Sequence, residues 1–176
     1  FNPRYPHMLV AANYQGVIQL WDLRRRPNGH CPRILDHQDS AIYTLAISAD
    51  GQQLASGNEQ GAVKLWWNLP QASPACRLLG RHSQRVAAVA FNCQGTLLAS
   101  GSNDRTVKLW PLDPSGETAP VTLTGHTEAI KAVAFNPHPQ NSQLLASGGK
   151  DKTIRVWDCQ QPQRSPLVLT GHGDIV

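Results

Sequence analysis

Apolar and polar residues alternate along this chain in short bursts, and the bursts recur in one order. Around Trp110 the segment Leu97-Leu98-Ala99-Ser100 is short, apolar and stopped by Gly101, the composition of a buried strand. Asn103-Asp104-Arg105 follows and predicts a turn, because Asn and Asp bond their own backbone and tolerate tight conformations. Thr106-Val107-Lys108-Leu109-Trp110 then alternates, with Val107 and Leu109 on one side and Thr106, Lys108 and Trp110 on the other. Upstream, Arg85 to Phe91 predicts another strand, joined to the first across Cys93-Gln94-Gly95. The matching join one copy earlier is Ala49-Asp50-Gly51, which contains a strong hairpin dipeptide. Beyond the Trp a Pro-rich turn leads to a fourth short run, Val121-Thr122-Leu123-Thr124.

This grammar repeats. The stretch Leu98–Trp110 returns as Leu145–Trp157 with the same Asp-x-Thr core, more weakly as Leu54–Trp66, and more weakly still as Leu9–Trp21. The tryptophans at 21, 66, 110 and 157 are therefore 45, 44 and 47 residues apart. A fixed period in the forties predicts an all-β array, and four antiparallel strands per unit predict β-propeller blades.

With the blade drawn, the chain resembles the WD40-repeat family over essentially all of residues 1–176. The residues that carry the resemblance are Gly125-His126, Gly171-His172, Trp21-Asp22 and Trp157-Asp158, together with the strands above. Two copies depart from the signature dipeptide, reading Trp66-Trp67 and Trp110-Pro111. Phe1-Asn2-Pro3 aligns with Phe135-Asn136-Pro137, so the first blade is expected without its innermost strand. Gly171 to Val176 aligns with Gly125 to Ile130, so a fifth repeat is expected to begin at Gly171. Propellers use about 4–8 blades, and the resemblance implies part of a larger, seven-bladed ring. A four-bladed ring closed by the C-terminal segment and a ring assembled from two chains are the alternatives.

Charge changes this picture little. Net charge is +4 and the pI about 9.1, and only Arg24-Arg25-Arg26 forms a basic run, which reads as a solvated turn. A nucleic-acid binder concentrates its basic charge, so that class is disfavoured. Cys31, Cys76, Cys93 and Cys159 show no paired spacing and read as free thiols of a reducing, cytoplasmic compartment. No apolar run is long enough to span a membrane.

His82, Ser100, Asp104 and Trp110 recur as His126, Ser147, Asp151 and Trp157. A Ser/His/Asp set suggests a hydrolase triad, but a catalytic set is wanted once, whereas this one occurs twice. The resemblance implies instead a hydrogen-bonded structural network within each blade, running Trp to Ser, Ser to His and His to Asp. The Trp66 copy keeps His37 and Ser56 but has Gln60-Gly61 where Asp104-Arg105 stands, and the Trp21 copy has Ala11 and Gln15-Gly16. A stability gradient is expected, with the Trp110 and Trp157 blades firmest. Gly148-Gly149-Lys150-Asp151 lacks the spacing of a phosphate loop. His30, Cys31, Asp36 and His37 are metal-capable types, but a strand separates the others from His37. No catalytic, cofactor or metal site is expected, and Trp67 is expected to pack against a neighbouring blade.

The resemblance also implies where a partner binds: two positions at the start of each innermost strand and one just before the tight-turn Asp. These are Ala41 and Tyr43, Arg85 and Ala87, Ala129 and Lys131, and then Tyr14, Glu59, Asn103 and Lys150. Tyr and Arg are enriched at interface centres. Tyr14, Tyr43, Arg85, Lys131 and Lys150 against Glu59 alone suggest an acidic or phosphorylated peptide. The reading is a non-catalytic protein–protein interaction scaffold within a larger multidomain signalling or regulatory protein. The alternative is a sensor holding a small molecule or sugar in the central channel.

Overall fold

The computed structural model describes residues 1–24, 32–37, 40–113 and 118–176, with only the backbone at 36 and 37. Strands form wherever the apolar bursts occur, and each sheet is an antiparallel meander in chain order. The first sheet has three strands, β1 (Met8–Ala12), β2 (Val17–Asp22) and β3 (Arg33–His37). The second has four, β4 (Ile42–Ile47), β5 (Leu54–Asn58), β6 (Ala62–Trp67) and β7 (Ala75–Arg81). The third comprises β8 (Val86–Phe91), β9 (Leu97–Ser102), β10 (Val107–Pro111) and β11 (Val121–Leu123). The fourth comprises β12 (Ile130–Phe135), β13 (Leu144–Gly149), β14 (Ile154–Asp158) and β15 (Leu167–Leu169). The four sheets do not close into a ring. No helix among the described residues is long and apolar enough to cross a membrane.

The alternation along β10 divides side chains between two interfaces rather than between core and solvent. Val107 and Leu109 enter a buried cluster with Ile130, Val133, Leu145 and Trp157, whereas Trp110 enters another with Ala55, Val63, Val86 and Leu98. A third cluster joins the first two sheets through Ile18, Leu20, Ile42, Leu54, Trp66 and Leu69. Each layer between sheets thus receives one tryptophan from the later sheet. Burying such a ring stabilises the layer by several kcal/mol, roughly what Trp→Ala removes, 3–5 kcal/mol. Trp67 points away from Trp66, is half-buried, and lies with the Arg77 guanidinium 6.0 Å from its ring centroid.

Close approach of neighbouring sheets depends on a missing side chain. A Cβ on Gly101 would sit 2.6 Å from Ile130, the first residue of the next sheet's β12, and one on Gly57 would sit 2.4 Å from Val86. Val176 fills the same notch at Gly148, where a Cβ would lie 2.7 Å from it, and its amide donates to the Gly149 carbonyl at 3.2 Å. In the first sheet the equivalent position is Ala12, and β1 meets β4 less extensively than β5 meets β8 or β9 meets β12.

Candidate interaction surface and the buried relay

Of the tight turns between the second and third strands of the later three sheets, those at Asp104 and Asp151 hold the same relay and the one at Gln60 does not. Trp110 Nε1 donates to Ser100 Oγ at 2.8 Å, Ser100 lies 2.7 Å from His82 Nε2, and His82 Nδ1 lies 3.0 Å from Asp104 Oδ2. The other copy matches: Trp157 Nε1 to Ser147 Oγ 2.8 Å, Ser147 to His126 Nε2 2.8 Å, and His126 Nδ1 to Asp151 Oδ2 2.8 Å. Burial depresses the His82 pKa against the pull of Asp104, so the ring is neutral near pH 7. A neutral ring gives one consistent direction: indole N–H to Ser Oγ, Ser O–H to Nε2, and Nδ1–H to the carboxylate.

Each aspartate does more than hold a histidine. Asp104 accepts the Ser83 amide at 3.0 Å and both the amide and hydroxyl of Thr106, at 3.0 and 2.7 Å. Burial alone would raise its pKa, but the Thr106 bonds, His82 and the Ser83 amide together hold it below the usual carboxylate range. Asp151, bonded likewise by His126, Thr127 and Thr153, is lowered to about 2 against the same burial. His82 stands on the crossover from β7 to β8, outside any strand. The relay thus links two strands of one sheet, through Trp110 on β10 and Ser100 on β9, and also ties the incoming crossover to the sheet it enters.

The Trp66 copy differs. The Trp66 indole is buried, and its Nε1 has no hydrogen-bond partner among the described residues, so the expected Trp66 to Ser56 link is not made. Gln60 occupies the place that Asp104 and Asp151 hold in the later sheets. The His37 side chain lies outside the described residues, as do His30, Cys31, Arg25 and Arg26. Arg24 pairs with Asp22 at 2.8 Å. Cys76, Cys93 and Cys159 are free, and burial with the nearby Asp158 charge pushes the Cys159 thiol up to about 12.

On the other side of each turn, one feature of the innermost strands was not visible as period-2 alternation. Pairing jumps between Ile42 and Thr44, between Val86 and Ala88, and between Ile130 and Ala132. Tyr43, Ala87 and Lys131 are thus the extra residues of three equivalent β-bulges, a device that re-aims a side chain at a sheet end. The amide following each second strand is bonded back across the mouth of the sheet: Glu59 to the Ala41 carbonyl at 2.9 Å, Asn103 to Arg85 at 2.9 Å, and Lys150 to Ala129 at 2.8 Å. Ala41 is itself buried and contributes its carbonyl rather than its side chain.

These placements bring most of the expected contact residues into one row across all four sheets. The Tyr14 and Tyr43 rings meet edge to face at 5.5 Å, and the Arg85 guanidinium lies 4.4 Å from the Tyr43 ring centroid. Lys131 Nζ donates to Asn103 Oδ1 at 3.2 Å. Its pKa is lowered first by burial and then by the charges of Lys150 and Arg85. Tyr14 is 74% exposed, and Glu59 and Lys150 are also exposed, whereas Arg85, Asn103 and Lys131 are half-buried. Among the described residues no carboxylate pairs with Arg85, Lys131 or Lys150. No cluster of three His, Cys, Asp or Glu side chains that could hold a metal occurs among the described residues.

A sequence profile of the family described as "WD domain, G-beta repeat" matches residues 29–66, 74–111 and 118–158, more than half of the chain. Human Coronin-7 is 38% identical over 74 residues, 42% of this chain and 8% of the relative. Protein SPA1-RELATED 4 of Arabidopsis thaliana is 33% identical over 66 residues, 38% of this chain and 8% of the relative. Nuclear distribution protein nudF of Aspergillus niger is 27% identical over 77 residues, 44% of this chain and 16% of the relative. The chain thus matches only a small part of the length of each of these relatives.

Proposed function

The chain belongs to the WD40-repeat family, whose repeats mediate protein–protein interaction, and we propose that it is a non-catalytic scaffold binding an acidic peptide segment. The row Tyr14, Tyr43, Arg85, Asn103, Lys131 and Lys150, flanked by Glu59, is the binding face in this reading. One observation carries it: an aromatic and cationic row continuous across four sheets, with no carboxylate among the described residues paired to its cations. Loops and strand ends on a rigid scaffold are where binding residues collect, and the bulges at Tyr43 and Lys131 serve that placement.

The two relays are assigned a structural role, because a buried polar chain that ends at an indole offers no nucleophile to a substrate and recurs unchanged. His82, Ser100, Asp104, Trp110, His126, Ser147, Asp151 and Trp157 hold the turns on which the binding row stands. Residues 1–176 form one run of repeats in this reading, with a fifth opening at Gly171, as the seating of Val176 in the Gly148 notch supports. Further repeats or a second chain complete the ring. The free thiols fit a reducing, cytoplasmic compartment. A ligand-sensing reading has no comparable support. A cavity of about 550 Å³ is lined by Tyr5, Trp21, Arg33 and Pro70 among others, none of them in the row.

Replacing Arg85 and Lys150 together with Glu is expected to abolish capture of an acidic peptide while leaving the unfolding midpoint unchanged. Retained capture by a folded variant would refute the assignment.

A further inference from the structure

Arg85 just before β8 and Lys131 in the β12 bulge meet at Asn103, whose amide bonds the Arg85 carbonyl at 2.9 Å and whose carboxamide takes the Lys131 ammonium at 3.2 Å. Lys150, just after β13, is bonded through its amide to the Ala129 carbonyl at the foot of the same bulge. Two of these three cations are already positioned. The Arg85 guanidinium is seated over Tyr43, and the Lys131 ammonium is held by the Asn103 carboxamide oxygen. The bulge residue between Tyr43 and Lys131 in the row is Ala87, which adds only a methyl group. Like charges held together without an anion are unfavourable, and each half-buried cation has lost part of its water. Such a set is stabilised by an anion with several oxygens and more than one charge. A phosphoryl group carries about −1.5 to −2 charge near pH 7 and three acceptor oxygens, whereas a carboxylate brings one charge and two oxygens.

We propose that Arg85, Lys131 and Lys150, with the Asn103 carboxamide, form a subsite for one phosphoryl group on a peptide partner. Tyr14 and Tyr43 then receive the neighbouring side chain of the same peptide. This rests on the reading above that the face binds a peptide, and it names the chemistry the peptide carries. Arginine and lysine clusters are a recurrent solution to phosphopeptide recognition. A lipid headgroup fits less well, because Arg85 and Lys131 are half-buried and a flat bilayer would meet Tyr14 and Lys150 first. Nucleic acid fits less well too, since its binders spread cations along a backbone and this chain gathers three at a point.

The test is retention of the full 176-residue chain on three immobilised degenerate peptide libraries with a fixed central phosphoserine, glutamate or serine. Retention on phosphoserine is expected to exceed that on glutamate by about tenfold, and the doubly substituted Lys131→Gln, Lys150→Gln chain is expected to lose that preference. Equal retention on phosphoserine and glutamate would remove the phosphoryl subsite while leaving the acidic-peptide reading in place. Retention on no library would overturn both. A preference that survives the double substitution would put the phosphate elsewhere, and tighter binding to phosphatidylserine vesicles or to oligothymidylate would assign the cations to another partner. Should the double variant not fold, titration of the unaltered chain with inorganic phosphate decides the matter: the Arg85 and Lys131 side-chain nitrogen resonances must shift, and their failure to shift would overturn the subsite.

Discussion

The third and fourth sheets and the first two sheets make the same tight turn by different chemistry. At the turns of the later sheets, Asp104 and Asp151 each gather a histidine, a backbone amide and a threonine. The next residues, Arg105 and Lys152, sit at φ 72° and 62°, a left-handed conformation costing a side chain about 1–2 kcal/mol. The aspartate bonds hold them there. In the earlier sheets the left-handed position belongs to Gly16 and Gly61, where that cost vanishes. Asn13 and Asn58 cap those turns instead, accepting the Val17 amide at 3.0 Å and the Ala62 amide at 2.8 Å. One fold thus tolerates either a polar relay with a strained residue or a local cap with a glycine. Only the relay reaches the layer between sheets, through its tryptophan.

Removing the anchor gives the largest contrast. Asp104→Ala strands the buried His82 ring and removes the acceptor of the Ser83 amide and of Thr106, and is expected to cost about 3 kcal/mol in denaturant unfolding. Gln60→Ala at the corresponding exposed place is expected to stay within about 0.5 kcal/mol. Next comes the indole nitrogen. Trp110→Phe breaks a made bond, whereas Trp66→Phe removes a donor that has none. The first is expected to cost about 1–2 kcal/mol more than the second, and equal costs would erase the distinction between the two copies.

A smaller effect follows from pH. His82 is depressed in the folded chain, so the unfolded chain takes up its proton first, and stability falls as pH drops below about 6.5. Asp104 and Asp151 are also depressed, so their contribution is present above about pH 4 and is lost as pH falls toward 2. Urea midpoints for the unaltered chain are expected to decline between pH 7 and 5, and His82→Gln is expected to flatten that decline. Smallest is the turn itself. Arg105→Gly relieves the left-handed side chain and is expected to gain less than about 1 kcal/mol, since glycine also loosens the unfolded chain. Gly61→Ala runs the other way, because its Cβ would lie 2.2 Å from the His82 carbonyl oxygen.

Much of this was legible in the residues. The strands around Leu98 and Trp110 and the turn at Asp104 follow from local pattern, which needs no knowledge of neighbours. That His82, Ser100, Asp104 and Trp110 recur as a set was legible too, but their linkage into a relay came from the family resemblance. The notch at Gly101 was not legible, because what fills it is Ile130, a residue of another sheet. Nor were the bulges at Tyr43 and Lys131, since one extra residue in a strand of six barely disturbs alternation. The stacking of Arg85 on Tyr43 joins two sheets and leaves no mark in either sequence segment. The missing bond of Trp66 was opaque for a similar reason: Ser56 and Trp66 stand at the expected spacing, and spacing does not fix where an indole nitrogen points.

Native-state amide hydrogen exchange, resolved by strand, tests the contrast most directly. The amides of β9, β10, β13 and β14, which carry the relays, are expected to exchange more slowly than those of β1, β2, β5 and β6. Uniform protection across all four sheets would contradict the claim that the relays make the later sheets the firmer half of the molecule.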